Sequence, residues 1–392
     1  MKALTWQGQS NVQVREVPDP RIEAPTDAVI RVTSSAICGS DLHLYEVLGP
    51  FMGVGDILGH EPMGIVEEVG PAVGNLKVGD RVVIPFTISC GHCWMCERDL
   101  FAQCETTQNR DQGMGASLFG FSKLYGEVPG GQAEYLRVPH ADFGPIVVPE
   151  GPPDERFLYL SDVLPTAWQG VEYAHVPEGG SLAVFGLGPI GQMAARIARY
   201  RGYHVIAVDR VPERLAMARK WGVDVVDMTV VEDVGGAIRD MTDGRGTDGA
   251  LDAVGMEAHG SPVPQFAQKV VGKLPASIGA PILKVAGVDR LAAMLSAIDA
   301  VRRNGTVSLS GVYGGTADPL PMLKMFDKGL EVRMGQAHVK RWVPEILPLL
   351  TDADPLGAED LKTHTMPLAD AAHGYDIFQK KQDGAIKVVL KP

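Results

Sequence analysis

Two things are scarce in this sequence: long apolar runs and positive charge. No apolar stretch is long enough to span a bilayer. Residues 1–6 lead into polar residues rather than an apolar signal core, so we expect a cytoplasmic protein. Asp and Glu outnumber Lys and Arg by 48 to 36, which gives a net charge of −12. This balance argues against non-specific binding to nucleic acid or to an anionic membrane, because both need a positive surface.

Cysteine is also scarce, and its distribution is uneven. Of the five cysteines, four lie within residues 90–104 and Cys38 stands alone, which indicates metal chemistry in a reducing compartment rather than a disulfide framework. The spacing C-x2-C-x2-C-x7-C lets a short loop wrap one ion, and four thiolates leave no open coordination position, so we predict a structural zinc. An iron–sulfur cluster and free thiols are the alternatives. The predicted ligands are Cys90, Cys93, Cys96 and Cys104, with His92 a bystander in the loop.

A second, dispersed set of metal-binding side chains precedes this loop. Cys38 opens the segment C-G-S-D-L-H, and His60 lies in G-H-E-P. One thiolate and one imidazole would supply two of the three protein ligands of a catalytic zinc, which keeps its fourth position open. A lone cysteine and a lone histidine are more often core residues, so these two residues alone leave the site undecided.

A short apolar run further along the chain ends in a glycine turn and continues into a helical segment. Gly186, Gly188 and Gly191 fit G-x-G-x-x-G, which permits a tight turn and close approach to a pyrophosphate at a helix N-terminus. Pro189 suits the first helical turn. A second apolar run ends at Asp209, 18 residues after Gly191, near the usual spacing for a carboxylate that binds ribose hydroxyls. We therefore predict a dinucleotide-binding βαβ unit; a plain βαβ turn is the alternative.

The arrangement of predicted elements divides the chain into two domains, as its 392 residues also suggest. Residues 1–164 are typical of a β-rich, barrel-like domain, with no long helical period. Residues 165–337 alternate strands and helices, which predicts a doubly wound parallel sheet. The 255–289 segment is rich in Gly and Pro and long for a connection, so we expect a structured insertion near the cofactor or an interface element. Predicted strands include 28–32, 64–69, 80–84, 203–208, 224–226, 249–254, 305–310 and 385–390, and predicted helices 192–200, 212–221, 231–241, 290–303, 343–350 and 369–379.

Together these motifs resemble the zinc-dependent medium-chain alcohol dehydrogenase family over nearly the whole chain. The resemblance rests on C-G-S-D from Cys38, G-H-E-P around His60, the four-cysteine loop and the glycine turn. It implies a GroES-like, β-rich catalytic domain formed by residues 1–164 and 338–392, and a Rossmann domain for NAD at 165–337. It also implies two zinc ions per chain. In this family Cys38 and His60 would bind the catalytic zinc, and Glu61 would lie close enough to enter its shell transiently.

The remaining site residues follow from one branch of the family. Many members use a later cysteine as third ligand, but this chain has none left; S-D-V-L-P-T-A instead resembles the glutathione-independent formaldehyde dehydrogenase and dismutase branch, which implies Asp162 as the ligand. A turn or N-cap acid is the alternative. Ser40 and His43 match the family's proton relay, with the imidazole nearer solvent; a turn residue and a surface histidine are the alternatives. Thr166 matches a nicotinamide contact, and Phe86 an aromatic wall of the substrate pocket.

The implied hydride carrier is NAD. Asp209 favours NAD over NADP, because a carboxylate repels a 2′-phosphate. Arg210 and Arg214 follow closely and would pair near the adenosine, where Arg214 matches a contact of the formaldehyde branch; a solvated helix start is the alternative. The stretch 335–338 is a further candidate for the nicotinamide side. The residues expected to contact the cofactor are Thr166, Gly186, Gly188, Pro189, Ile190, Gly191, Asp209, Arg214 and Val254.

The implied activity is zinc-dependent hydride transfer between NAD(H) and an alcohol or aldehyde, and the nearest resemblance points to small aldehydes such as formaldehyde. The alternatives are the glutathione adduct of formaldehyde, a larger secondary or aromatic alcohol, and aldehyde dismutation with NAD retained beneath residues 255–289. From a different class, the chain would be a non-catalytic, zinc-stabilised cofactor-binding protein. We expect a homo-oligomer, a tetramer rather than a dimer, with a small-molecule substrate and neither nucleic acid nor membrane as partner.

Overall fold

The computed structural model describes residues 1–255, 291–313 and 320–392. These residues form two compact units, one of Met1–Pro165 with Ala337–Pro392 and the other of Thr166–Gln336. Apart from Gly255, the segment 255–289 that was predicted as an insertion lies outside the described residues. The hypothesis that it covers the adenosine concerns those same residues. No described helix combines the length and apolar character that a membrane span requires.

The strands and helices are numbered here in chain order. The strands are β1 Lys2–Gly8, β2 Asn11–Glu16, β3 Ala28–Ile37, β4 Pro62–Val69, β5 Arg81–Val83, β6 Tyr135–Val138, β7 Ile146–Val147, β8 Ser181–Phe185, β9 His204–Asp209, β10 Asp224–Asp227, β11 Thr247–Asp252, β12 Val301–Leu309, β13 Glu331–Met334, β14 His364–Pro367 and β15 Val388–Lys391. The helices are α1 Gly39–Glu46, α2 Asp154–Phe157, α3 Val163–Tyr173, α4 Pro189–Tyr200, α5 Pro212–Lys220, α6 Val234–Asp240, α7 Ala292–Ala300, α8 Met322–Lys328, α9 Val339–Asp352 and α10 Ala371–Lys380.

The unit Thr166–Gln336 is built on a six-stranded parallel sheet in the order β10-β9-β8-β11-β12-β13. Central strands such as β8 and β9 are almost continuous apolar runs, as strands of a parallel sheet are when both faces are buried. Their side chains pack with those of β11, β12 and α7 in one core. The order reverses between β8 and β11, the switch point beside which such sheets bind ligands. This topology confirms the predicted doubly wound sheet.

The other unit contains a mostly antiparallel seven-stranded sheet, in the order β14-β15-β3-β4-β5-β7 with β6 also paired to β3. Its core includes Val66 of β4 and apolar residues that alternate along β3 and β6, the period-two pattern of side chains that share one face of a sheet. The register of β3 with β4 aligns Ser35 with Pro62, so the end of β3 lies beside the start of β4. The predicted β-rich fold is confirmed.

The predicted helix 290–303 is too long at its C-terminal end. Helix α7 ends at Ala300, and β12 begins at Val301, which pairs with Thr247 of β11. The side chain of Arg302 then bonds Asp248 at 2.7 Å. Pairing with the sheet thus outweighs the helical spacing of these residues, as tertiary contacts often do.

Some other boundaries also differ from the prediction. Strand β15 begins at Val388 rather than 385, because the N–H groups of Ile386 and Lys387 donate to the Thr363 hydroxyl. Helix α9 begins at Val339, four residues before its predicted start, and continues through two internal prolines. Helix α1, of eight residues, is a short helix within the β-rich stretch and was not among the predicted helices. It carries the residues that follow Cys38.

Candidate metal centres and dinucleotide turn

Four buried side chains from separate segments meet in the first unit: Cys38, His60, Glu61 and Asp162. One ligand atom from each lies within 4.8 Å of the others. Cys38 follows β3 and the His60–Glu61 pair precedes β4, so the pairing of these strands brings them together across 22 residues of chain. Asp162 comes from the start of α3. The structure therefore brings together the dispersed residues of the metal site that Cys38 and His60 alone had left undecided.

The chemistry of this cluster suits a divalent metal ion. The Asp162 carboxylate lies 3.4 Å from both the Cys38 sulfur and His60 Nε2. Burial, followed by the charges of Asp162 and Glu61, raises the pKa of the Cys38 thiol to about 11. A cation among these atoms would stabilise the thiolate and carboxylate forms that burial disfavours. Thiolate, imidazole and carboxylate are all zinc ligands, and three of them leave a position open.

Asp41, to which the sequence assigned no role, orients His60. Its Oδ1 lies 3.1 Å from His60 Nδ1, so Nε2 faces the cluster. Asp41 is held in turn by the Cys38 N–H at 2.9 Å and by the side chain of Gln132 at 3.3 Å, and Gln132 accepts a hydrogen bond from Tyr375. Burial alone would lower the pKa of His60, but Asp41 and Asp162 raise it well above its ordinary value. A carboxylate beside Nδ1 would favour the neutral tautomer in which Nε2 is free to bind a metal ion.

A buried lysine, Lys387, holds the fourth member of the cluster. Its Nζ lies 2.7 and 2.5 Å from the two carboxylate oxygens of Glu61, and both side chains are fully buried. The ammonium also donates to the Ile37 carbonyl at 3.2 Å. Burial opposes the charge on Lys387, but Glu61 raises its pKa above the ordinary value. The sequence signal for this pair was a single lysine inside the apolar run 385–390.

Two aromatic rings flank His60. Phe86, predicted as a pocket wall, and Phe121, which the sequence analysis did not name, both lie edge-on with ring centroids 6.3 Å from the imidazole. Phe121 in turn contacts Tyr125 at 5.5 Å. These two rings give the cluster an apolar flank beside its polar ligand atoms, which suits the carbon skeleton of a small organic substrate.

The two relay candidates lie on α1. The Ser40 hydroxyl is 3.2 Å from His60 Nε2, beside the cluster as expected. His43 is only 5% exposed, whereas Ser40 is half-buried. His43 is thus the less exposed of the two, because residues 41–45 of α1 are all buried, and the relay through both residues stays a prediction.

The four-cysteine loop forms a second compact sulfur cluster. The ligand atoms of Cys90, Cys93, Cys96 and Cys104 lie within 4.8 Å of one another, and all four are free thiols. The Cys93–Cys104 sulfur distance is 3.8 Å, which is also the edge of a tetrahedron with Zn–S bonds of about 2.3 Å. Burial would raise the pKa of Cys93, but N–H donors from Cys96 and Glu105 lower it to about 6.

Neighbouring residues support this loop without joining the cluster. His92 contacts the Cys90 carbonyl through Nδ1 at 2.8 Å. His338, a candidate for the nicotinamide side, accepts a hydrogen bond from the Ala102 N–H within the loop at 3.2 Å. Burial and then Arg341 lower the pKa of His338 to about 4. A neutral ring at this position therefore supports the loop.

The glycine turn joins β8 to α4 by close backbone contacts. Gly186 has φ +85°, and a Cβ on Gly191 would lie 1.8 Å from the Gly186 carbonyl oxygen. A Cβ on Gly188 would meet only Arg214 Nη1, at 3.9 Å. The turn is thus closed towards the protein and open at Gly188, as a phosphate cradle at a helix N-terminus requires. α4 begins three residues before the predicted helix 192–200, with Pro189 in its first turn as predicted and Ile190 half-buried beside it.

Asp209 lies beside this turn at the end of β9. It accepts a hydrogen bond from the Leu187 N–H at 2.6 Å and one from the Arg210 N–H at 2.6 Å. Arg214 Nη1 is 4.0 Å from the carboxylate. Val254 packs on the turn from the other side, 2.5 Å from where a Gly186 Cβ would lie. The predicted cofactor residues of this unit therefore share one edge of the sheet, with Thr166 half-buried on α3.

Known proteins resemble the chain in sequence and in fold. The alcohol dehydrogenase GroES-like domain family matches residues 24–149, and the zinc-binding dehydrogenase family matches residues 189–268. An uncharacterized zinc-type alcohol dehydrogenase-like protein of Bacillus subtilis is 42% identical over 100% of both chains. The glutathione-independent formaldehyde dehydrogenase of Pseudomonas aeruginosa is 30% identical over 96% of this chain and 94% of its own. The solved structure of an alcohol dehydrogenase from Thermus sp. ATN1 has a TM-score of 0.83 at 32% identity, covering 100% of both chains.

Proposed function

Because the chain belongs to the zinc-dependent medium-chain alcohol dehydrogenase family, we propose that it transfers hydride between NAD(H) and a small alcohol or aldehyde. The chain is an enzyme, an oxidoreductase of the zinc-type alcohol dehydrogenase class, so a purely non-catalytic reading is set aside. The observation that carries the proposal is the buried cluster of Cys38, His60 and Asp162, whose ligand atoms lie within 4.8 Å of one another.

We assign the catalytic zinc to Cys38, His60 and Asp162, and the structural zinc to the four-cysteine loop. Asp162 lies 3.4 Å from both other ligands, whereas both carboxylate oxygens of Glu61 lie within 2.7 Å of Lys387 Nζ. These contacts favour Asp162 as the third ligand. Glu61 would then be a neighbouring carboxylate that binds the zinc only transiently. When bound, zinc supplies a Lewis acid at the substrate oxygen and NAD supplies the hydride acceptor.

The residues around the site then have separate tasks. Asp41 keeps His60 in the tautomer that presents Nε2. The Ser40 hydroxyl, 3.2 Å from that nitrogen, accepts the hydrogen bond of a substrate hydroxyl and passes its own proton on towards His43. Phe86 and Phe121 hold the carbon skeleton and exclude water from the reacting carbon.

For the cofactor we propose NAD rather than NADP. The open backbone at Gly188 accepts the pyrophosphate, and the Asp209 carboxylate repels a 2′-phosphate. Arg214, 4.0 Å from Asp209, is placed to contact the adenosine. Thr166, Pro189, Ile190 and Val254 complete the proposed contacts.

For the substrate we propose small aldehydes such as formaldehyde and the corresponding alcohols. A larger or aromatic alcohol is a second candidate, favoured by the second ring, Phe121, edge-on to His60. Initial rates with short and aromatic substrates, with NAD or NADP and with or without glutathione, test both. Formaldehyde turnover only with added glutathione would contradict the first candidate. Purified protein that carries nucleotide and turns over without added NAD would favour dismutation.

We also propose a cytoplasmic homo-oligomer, a tetramer rather than a dimer. In the described chain β13 is an edge of the parallel sheet, and the preceding α8 exposes apolar side chains. Leu323 is 82% exposed and Phe326 87%, and an exposed apolar patch beside a strand edge is suited to a symmetric contact with a second copy. Light scattering of the wild type and of F326E tests this proposal: a wild-type monomer would contradict it.

A further inference from the structure

Asp252 lies at the switch point of the parallel sheet, where the strand order reverses. It is the last residue of β11 and pairs with Phe185, the last residue of β8. The glycine turn follows β8 directly, and residues 253–255 follow β11. In an open parallel sheet the ligand crevice lies between such carboxyl ends. A side chain that fixes residues 253–255 therefore shapes one wall of the crevice whose other wall is the glycine turn.

The fully buried Asp252 carboxylate ties two loops together. One oxygen accepts hydrogen bonds from the N–H groups of Val254 at 2.8 Å and Gly255 at 3.2 Å. The other accepts the hydroxyl of Tyr313, which lies beyond β12. The Asp252 backbone carbonyl also accepts the N–H groups of Ser310 and Gly311, both at 2.9 Å. One residue thus joins the loop after β11 to the loop after β12.

The backbones in these loops approach one another too closely for side chains. A Cβ on Gly311 would lie 2.2 Å from the Gly255 nitrogen, and a Cβ on Gly255 would lie 2.5 Å from the Val312 carbonyl oxygen. Val254 is pressed on the glycine turn, 2.5 Å from where a Gly186 Cβ would be. A small displacement of residues 253–255 would therefore move the surface beside the glycine turn.

The three donors to this carboxylate are all neutral. Burial raises the pKa of Asp252, although Tyr313, Val254 and Gly255 each lower it. A buried carboxylate is costly unless its hydrogen bonds are made. The arrangement is stable only while both loops keep their places, so it couples their positions to each other.

We propose that Asp252 and Tyr313 are a positioning pair that holds residues 253–255 and 310–313 in the shape that accepts the dinucleotide beside the glycine turn. The inference rests on the proposed NAD-dependent function. It predicts that the pair controls cofactor affinity and KM for NAD, while kcat at saturating NAD changes little.

The test is NADH binding by fluorescence titration, with thermal unfolding of each variant in parallel. The variants are D252A, D252N and Y313F. The matched control is D248N, because Asp248 lies near the N-terminal end of the same strand, away from the glycine turn, where it bonds Ser181 and Arg302. We expect D252A and Y313F to weaken NADH binding about tenfold or more. D252N keeps an acceptor for the two N–H groups, so its loss should be smaller.

The control separates affinity from stability. D248N should lower the Tm and leave the NADH Kd within about twofold of wild type. If D252A fails to fold, D252N and Y313F still decide the matter. If D252N and Y313F both bind NADH within twofold of wild type and lose as much Tm as D248N, then Asp252 and Tyr313 contribute only to stability and the inference is overturned. A wild-type protein that binds no NADH would instead refute the proposed cofactor, and the inference with it.

Discussion

Replacing Lys387 by methionine should unfold the protein more easily, because it leaves the Glu61 carboxylate buried without its partner. The two side chains are fully buried, and Nζ lies 2.5 and 2.7 Å from the carboxylate oxygens. At an effective dielectric constant of about 20 their gross attraction is roughly 6 kcal/mol. Removal of one partner of such a pair typically costs about 3–5 kcal/mol. We expect a loss of that size in the free energy of unfolding of K387M.

The assay is urea unfolding of the zinc-loaded protein at pH 7, with K391M as the matched control. Lys391 is the last residue of β15, the strand that directly follows Lys387, but its side chain is 38% exposed and its nearest carboxylate is Glu155 at 3.3 Å. Its loss should cost about 1 kcal/mol or less. Because protonation neutralises Glu61, the deficit of K387M should shrink as the pH falls and grow as it rises.

The double variant K387M/E61Q tests whether the cost comes from the unpaired charge. It removes both charges, so it should be more stable than K387M alone. A deficit of K387M no larger than that of K391M would refute the reasoning, and so would a double variant no more stable than K387M.

Three other predictions follow from the same geometry. G191A should abolish NADH binding or the fold of its unit, because its Cβ would lie 1.8 Å from a carbonyl oxygen. G188A, whose Cβ would have 3.9 Å of clearance, should leave the Tm unchanged; equal Tm values for the two variants would contradict this. Burial lowers the pKa of His338 from 6.5 to about 4, so between about pH 6.5 and pH 4 the unfolded chain takes up a proton that the folded chain does not. Going from pH 7 to pH 5 should therefore cost about 2 kcal/mol of stability that H338Q does not lose; an unchanged pH dependence in H338Q would contradict this prediction. C93A should lose one zinc and several degrees of Tm on metal analysis and calorimetry; full zinc content would exclude the loop as a metal site.

Local patterns predicted the parts of the molecule that are built from neighbouring residues. The glycine turn, Pro189 and the strand ending at Asp209 lie within one short stretch, so their spacing carried the information. The four-cysteine loop is local in the same way. The predicted fold class rested on periodicity and alternation, which the sheets confirm.

The supporting shell of the metal cluster could not be predicted, because its members are distant in sequence. Lys387 and Glu61 are 326 residues apart, and Tyr375 and Gln132 are 243 apart. Their contacts depend on the pairing of β3 with β4 and β15, which no local pattern specifies. Asp41 was visible in the C-G-S-D motif, but its role required the position of His60.

The central claim is that Cys38, His60 and Asp162 hold a catalytic zinc, separate from the zinc of the four-cysteine loop. The most direct test is the zinc content per folded chain, measured together with NAD-dependent turnover, in the wild type and in C38A. We predict two zinc ions and turnover for the wild type, and one zinc ion, an unchanged fold and no turnover for C38A. One zinc ion in the wild type, or full turnover in C38A, would contradict the assignment.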